Sequence, residues 1–370
     1  MFAAACVPPP PPPPLFTPNP PVQRIDNAID AASNQNFPDP AVVYSPDGTA
    51  QSPGQPAYVA FSTTAFYPSP YDLPLVPIAV AQQLNQWRRP GQPAAAGAFA
   101  PYDPANDALA GHWPTWQLDP YVNGPLLRNW SPAVHKFGAT WVLYFTAPDA
   151  SSPDQCIGVA TSSSVDGPYQ PVDTAPLECM HGWGGAIDPS VIVDAGGQPW
   201  LLFKNDGNCC KIGTFIWSQS LTSDGLGFAS GSQKNLLLAL DQSWEDGSKG
   251  GREPWKRLIE APSMVYAAGA YWLFYSANWW DSANYAVGYA RCASPAGGCS
   301  KPQTRQLLGS GRNGAGPGGE DVFADASGQL WMAYHAWDPG SPGSELGGTR
   351  TLRFSRLTFA NGAPVLGAGP

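Results

Sequence analysis

Three carboxylates recur at matching places in this chain: Asp39 in FPDPAVVY (Phe37–Tyr44), Asp188 in IDPSVIVD (Ile187–Asp194) and Glu260 in IEAPSMVY (Ile259–Tyr266). Singly, an acid beside proline at a strand start reads as a turn initiator. Three in register mean more, because carboxyl groups gathered at short range do not all ionise alike. Cleavage of a glycosidic bond asks for that inequality. One protonated carboxyl supplies the leaving oxygen, and an ionised one on the opposite side activates water or attacks directly. A third acid raises the pKa of the first by like-charge repulsion.

The register comes from a repeat. WSPAVHKF (Trp130–Phe137) and GEDVFAD (Gly319–Asp325) share the pattern, and alignment on Val42, Val134, Val191, Met264 and Val322 gives intervals of 92, 57, 73 and 58 residues. Each copy runs through a polar or Gly turn into a strand too apolar to be half exposed: YVAFST (Tyr58–Thr63), WVLYFT (Trp141–Thr146), WLLFKN (Trp200–Asn205), YWLFYS (Tyr271–Ser276) and LWMAYH (Leu330–His335). Weaker strands such as IGVATS (Ile157–Ser162) and YAVGYA (Tyr285–Ala290) follow. Helical periodicity nowhere persists beyond about three turns. Strand, turn and strand repeated at this length is the pattern of a propeller blade. The expected fold is therefore all-β, a five-bladed β-propeller, in which equivalent places converge on the axis and bring the acids together. The long first interval holds an insertion, Gln83–Arg128, and inserted loops on one propeller face commonly shape a binding cleft.

Composition narrows the partner. The 370 residues are 43% hydrophobic and only 13% charged, with a net charge of −9. Without a Lys/Arg run the chain is unsuited to nucleic acid or an anionic membrane surface, and no stretch approaches the roughly 18 apolar residues of a transmembrane helix. A neutral partner fits better. The 15 Trp and 14 Tyr exceed what a core of this size needs, and flat rings suit the C–H faces of sugars, although propeller strands are aromatic-rich in any case.

The start reads MFAAAC followed by Pro8–Pro14, which resembles the tail of a lipoprotein signal with Cys6 as the lipidated residue but lacks the basic start and apolar run. Residues 1–22 are expected to be a disordered signal remnant and polyproline linker, and 23–370 the propeller. Of the remaining cysteines, 292 and 299 bracket a turn, 156 and 179 flank one strand-and-loop segment, and 209 and 210 either bridge each other or exchange partners with that second pair. An even set favours an oxidising compartment, buried thiols in a cytosolic enzyme being the alternative.

FPDPAVV, GGAIDPSVIVD, EAPSMVY and YHAW together resemble the motifs of glycoside hydrolase family 43, in the family's order and over roughly Phe37 to Phe359. The resemblance implies a five-bladed propeller acting on arabinose-, xylose- or galactose-containing plant polysaccharides. It assigns Asp39 as general base, Asp188 as pKa modulator and Glu260 as general acid, with no cofactor needed for the chemistry. Inversion at the anomeric centre would place base and acid about 6.5–9.5 Å apart, leaving room for water. His335 matches a histidine near the axis that often neighbours a cation, typically calcium, partly through water. The alternative is a core histidine bonded to the next blade.

Trp130, Trp183, Trp279 and Trp280, all on motif-adjacent loops, are candidate sugar-stacking residues, packing between blades being the other reading. CIGVATSSSVDGPYQP and LLFKNDGN further resemble a fungal and actinobacterial branch. GAGPGGEDV departs from the family, with Gly-Gly-Glu where many members carry a histidine pair, so Glu320 and Asp321 could alter the cation contacts. The resulting expectation is a secreted, monomeric, inverting hydrolase of α-L-arabinofuranosyl or β-D-xylosyl linkages, with lipid anchoring through Cys6 as a variant. Its rivals are an exo-galactanase-type member, a retaining propeller of the fructan-cleaving kind and a non-catalytic carbohydrate-binding propeller.

Overall fold

The computed structural model describes residues 36–64, 74–90, 104–120, 129–246, 257–302, 304–311 and 314–370, together with the backbone of Ile25–Asp26. Cys6, the proline tract and the linker 1–22 lie outside the described residues, as do 91–103 and 121–128 of the first-interval insertion.

One antiparallel meander is used five times. Blade I runs Ala41–Ser45, Ala57–Phe61, Ile78–Ala81 and Trp87–Arg88, with Ile25–Asp26 added in parallel at its outer edge. Blade II runs Trp130–Phe137, Thr140–Pro148, Gln155–Ser162 and Gln170–Pro171, and blade III runs Ala186–Val193, Pro199–Asn205, Ile216–Ser220 and Asn235–Leu238. Blade IV has three strands, Ile259–Ala267, Ala270–Ala277 and Ala286–Cys292; blade V ends the chain with Ala315–Ala324, Leu330–Trp337, Arg350–Ala360 and Ala363–Leu366. The innermost strands touch in sequence order, I to II through V and back to I, so the ring is closed.

The second strand of each blade is apolar on both faces because it is sandwiched between neighbours. In blade II, Leu143 and Phe145 point into the core shared with Val59 and Phe61 of blade I, while Val142 and Tyr144 point into the core shared with Leu201 and Phe203 of blade III. Leu202 and Leu273, then Phe274 and Tyr334, then Ala333 and Tyr58 fill the remaining three gaps. Each fully buried Leu or Phe of these cores contributes about 1.5–3 kcal/mol. The described part of the insertion joins in. Ala108, Leu109 and Trp116 sit in the blade I–II core, where Trp116 stacks on Phe145 with 6.4 Å between ring centroids. Residues 104–116 of the insertion thus help fill a core, while Asn85, Gln86, Trp87 and Arg88 line a surface cavity at the edge of blade I.

Each innermost strand begins with the same irregularity. Asp39, Ser131, Asp188, Ala261 and Gly319, one per blade, have φ of 49°, 41°, 56°, 50° and 58°. In blades II to V the pairing register shifts across these residues. This is a bulge with a left-handed residue, which re-aims side chains at the strand end. In four of the five blades the N–H of that residue is bonded by a side chain of the preceding blade: Asp39 N–H to His335 Nδ1 (3.0 Å), Ser131 N–H to Thr63 Oγ1 (2.8 Å), Ala261 N–H to Asp188 Oδ2 (2.9 Å) and Gly319 N–H to Ser276 Oγ (2.9 Å).

Ring closure rests on bonds between blades V and I. Phe37 N–H donates to Arg350 O at 2.7 Å, Asn36 bridges to Thr351, and Val42 N–H donates to Asp321 Oδ2 at 2.9 Å. Asp321 Oδ1 also receives the Ser263 hydroxyl of blade IV at 3.3 Å. Both carboxylate oxygens of Asp321 are thus engaged in joining blades. The cysteines pair as Cys156–Cys179, Cys209–Cys210 and Cys292–Cys299. No helix among the described residues is long and apolar enough to cross a membrane.

Replacing Asp321 by Ala strands the Val42 N–H at an interior strand, at a cost of about 1–3 kcal/mol. The urea midpoint should fall with an unchanged slope; an unaltered midpoint would remove Asp321 from the closure.

Candidate active site

In an antiparallel hairpin the start of the first strand lies beside the end of the second. Every bulge residue therefore shares one face of the ring with a residue near the end of its blade's aromatic strand, three places past the partner of the aligned Val or Met. Those residues are Thr63, Thr146, Lys204, Ser276 and His335, all buried. They form one ring of polar residues, beside a ring of bulge residues of which Asp39, Ser131 and Asp188 are polar. Asp39, Ser131, Asp188, Ala261, Gly319 and Glu320 line an axial cavity of about 160 Å³.

Asp39 Oδ2 accepts the Thr63 hydroxyl at 2.6 Å and lies 3.9 Å from Arg350 Nη1. His335 Nδ1 is the acceptor for Asp39 N–H, a donor that cannot turn away, so the neutral ring carries its proton on Nε2. Burial holds the His335 pKa below the usual imidazole value and keeps the ring neutral. Burial alone would raise the Asp39 pKa. His335, Arg350 and Thr63 outweigh it and hold the carboxyl below the usual carboxylate range. A neutral His335 adds no cationic charge, so that direction rests chiefly on Arg350 and Thr63.

Glu260 sits one residue ahead of the bulge, and Ala261 takes the left-handed place that Asp39 and Asp188 occupy in their own blades. Its side chain is fixed at both oxygens. Lys204 Nζ donates to Oε2 at 2.6 Å and the Tyr285 hydroxyl donates to Oε1 at 2.8 Å. Burial pushes the Glu260 pKa up and Asp188 adds to the rise, against the pull of Lys204 and Tyr285; the net direction is upward. Asp188 is likewise raised, by burial and by the charge of Asp39, while Lys204, the Ser131 hydroxyl and the Ala261 N–H oppose the rise. Lys204 remains charged: burial lowers its pKa, but Glu260, Asp188 and Asp206 more than offset that.

Behind Glu260 a chain of side chains runs to blade V. Tyr285 hydrogen-bonds Ser276, and Ser276 Oγ lies 2.5 Å from Glu320 Oε2. Burial drives the Glu320 pKa far up. Ser276 Oγ donates to Glu320 and accepts the Gly319 N–H, while the Tyr285 hydroxyl donates to Glu260. The Gly-Gly pair of blade V follows from this crowding. A side chain at Gly318 would collide with Tyr285 and Ser276, and one at Gly319 with Asp39 and His335.

His335 presents an N–H rather than a lone pair towards its buried, unpartnered Nε2 side. That pattern does not fit direct ligation of a cation and does fit a histidine bonded to the next blade, so no step below runs through a metal. Elsewhere, Asp149, Cys179 and His181 converge, but the Cys179 sulfur is bonded to Cys156 and His181 Nδ1 pairs with Asp154 at 2.7 Å.

The four tryptophans separate. Trp280 and Trp337 flank the guanidinium of Arg350, which lies 4.6 Å and 5.5 Å from their ring centroids, and Trp279 packs against Trp280. Trp183 is 42% exposed at the entry to blade III, backed edge-on by Phe215 and Trp217. Trp130 occupies in blade II the register that Glu260 occupies in blade IV and is half-buried. Sequence reading had singled out neither Lys204, Tyr285 nor Arg350. Lys204 was findable, since it falls in the aligned strand where the others end in Thr63, Thr146, Ser276 and His335.

The sequence profile of Glycosyl hydrolases family 43 matches residues 37–364. Among curated relatives, the extracellular endo-alpha-(1->5)-L-arabinanase 1 of Bacillus subtilis (strain 168) is 25% identical over 236 residues, 60% of this chain and 66% of that protein. The extracellular exo-alpha-(1->5)-L-arabinofuranosidase ArbA of Cellvibrio japonicus (strain Ueda107) is 25% identical over 188 residues, 47% of this chain and 48% of that protein. The chain thus matches about half to two thirds of the length of these relatives. Of solved structures, a thermostable family-43 glycoside hydrolase superposes with a TM-score of 0.67 at 22% identity, over 90% of this chain and 93% of that one. An α-L-arabinanase of Cellvibrio cellulosa superposes with a TM-score of 0.59 at 18% identity, over 90% and 95%. At these identities the superpositions speak for the fold.

Because Asp188 raises and Lys204 lowers the Glu260 pKa, neutral replacements should move it in opposite directions. Carboxyl carbon NMR of Glu-labelled protein should place wild-type Glu260 above the usual value of about 4.3, lower in Asp188→Asn and higher in Lys204→Met. Shifts of the same sign in both variants would contradict the network.

Proposed function

The chain belongs to glycosyl hydrolases family 43, and from that premise we propose that it is an inverting glycoside hydrolase acting on α-L-arabinofuranosyl linkages of plant polysaccharides or oligosaccharides. One observation carries the reading. Asp39 and Glu260 stand at the same end of the axis in environments that push their pKa values apart, down for the first and up for the second. That divergence assigns a base and an acid. The choice of sugar leans on the two curated relatives, whose names are those of an arabinanase and an arabinofuranosidase.

In this mechanism the Asp39 carboxylate, oriented by Thr63 and Arg350, takes a proton from the water that attacks the anomeric carbon. Glu260 gives its proton to the glycosidic oxygen as the bond breaks. Inversion follows because water enters opposite the leaving group. Negative charge then grows on Glu260, where Lys204 and Tyr285 already donate hydrogen bonds, so the departing proton leaves a stabilised carboxylate. Asp188 acts on Glu260 twice, by its charge and by fixing the Ala261 N–H. The enzyme works outside the cytoplasm, in keeping with its three disulfides and with relatives named as extracellular.

Glu260→Ala should lower kcat/KM on arabino-oligosaccharides by about 100–10,000-fold while sparing nitrophenyl α-L-arabinofuranoside far more, because nitrophenolate leaves without a proton. Equal losses on both substrates would overturn the acid assignment. Nitrophenyl β-xyloside and β-galactoside complete the screen, and inactivity on all three and on arabinan, xylan and galactan would favour a binding propeller.

Following product anomers by proton NMR decides the stereochemistry. Net retention would rule out Asp39 as a base that activates water.

A further inference from the structure

Loop 206–213 and the entry segment around Trp183 lie side by side at the axial end of blade III. Asn205 ties them: its Nδ2 donates to Gly213 O at 2.9 Å and to Trp183 O at 3.3 Å, and its Oδ1 accepts Phe215 N–H at 2.9 Å. At the tip of the loop the bonded pair Cys209 and Cys210 is exposed, with Cys209 Sγ 3.5 Å from Gly184 O. Ile212 is exposed beside them, and the Trp183 face is open. Trp183, the cysteine pair and Ile212 thus give an exposed apolar surface, interrupted by the exposed Lys211, beside a site otherwise built from carboxylates, a lysine and hydroxyls.

Fold stability does not account for it. A bridge between adjacent residues closes no loop and so takes almost no entropy from the unfolded chain. What it does is replace two polarisable thiols with a fixed sulfur surface. The surface is also tied to the chemistry: Asn208, next to Cys209, accepts a hydrogen bond from Lys204 Nζ at 3.0 Å, and the same Nζ holds Glu260 Oε2 at 2.6 Å. The patch therefore belongs to the side of the mouth where Glu260 stands.

We infer that the Cys209–Cys210 bridge and Trp183 form an apolar platform for the sugar residue on the leaving-group side of the scissile bond. The inference rests on Glu260 as the acid: the acid protonates the leaving oxygen, so the departing sugar lies on the acid's side of the cleft. A sugar turns its C–H face to flat or apolar surfaces and its hydroxyls outward. Trp183, held edge-on by Phe215 and Trp217, is a rigid surface of that kind. Asn208 and Lys204 stand at its edge to meet hydroxyls.

The test compares arabinotriose with α-L-arabinofuranosyl fluoride, whose leaving group carries no sugar and cannot reach the platform. In Trp183→Ala and in the double variant Cys209→Ser/Cys210→Ser, kcat/KM on arabinotriose should fall by about 10–100-fold, with the fluoride unchanged within about twofold. Equal losses on both substrates, or no loss on either, would overturn the platform. Trp183→Ala alone decides the matter if the cysteine variant does not fold. Should the wild type cleave neither substrate, the hydrolase reading fails separately. Calorimetric titration of the same proteins with arabinohexaose then decides: weaker binding to the variants supports the platform, and unchanged or absent binding refutes it.

Discussion

Five left-handed residues, one at the start of each innermost strand, are the constraint on which the rest of this molecule depends. A residue at positive φ turns its N–H out of the sheet ladder, and a buried N–H must find another partner. In four blades the preceding blade provides it, through Thr63, Asp188, Ser276 or His335. Backbone strain within a blade thereby becomes a bond between blades. The same turn aims the side chains of Asp39 and Asp188 along the axis. Fold and site share a cause: the geometry that closes the ring also gathers the acids.

Electrostatics then differentiates groups that the repeat makes alike. Asp39 and Asp188 hold equivalent backbone places, yet Arg350 and Thr63 keep the first ionised while burial and the charge of Asp39 lift the second. Glu260 escapes the equivalence by one residue. Its blade spends the left-handed place on Ala261, and the longer glutamate side chain spans the difference to reach Lys204 and Tyr285. Lys204 is the singular member of its own ring, a fully buried cation where the other blades carry hydroxyls or an imidazole. A buried carboxyl beside a buried ammonium and a second carboxylate is held by competing pulls, so single charges move it readily.

Much of this was legible in the sequence because blades repeat. The copies aligned on Val42 to Val322 set Asp39, Ser131 and Asp188 in one column, and Glu260 one step out of it, as the bulges do. The aromatic strands read as fully buried because both of their faces meet a neighbouring core. Repetition has limits as a guide. Arg350 opens the third strand of blade V and Tyr285 precedes that of blade IV, outside the aligned motifs, and they act through the reach of single side chains. Asp321 stood out as a departure from the family motif, and its inter-blade bonds to the Val42 N–H and the Ser263 hydroxyl depend on packing that no motif shows. His335 matched a cation-neighbouring residue by motif, and only its bond to the Asp39 N–H reveals which ring nitrogen carries the proton. Of the insertion expected at a cleft, Ala108, Leu109 and Trp116 lie in the blade I–II core around Phe145, and Asn85 to Arg88 line a cavity at the edge of blade I.

The contacts that join the last blade to the first have a further consequence. Asp39 stands on that seam: its N–H is held by His335 and its carboxylate faces Arg350, both from blade V, while the adjoining Phe37 N–H is held by the Arg350 carbonyl. Blades V and I therefore meet at Asp39, and a chain lacking blade V has no Arg350 counter-charge for that carboxylate.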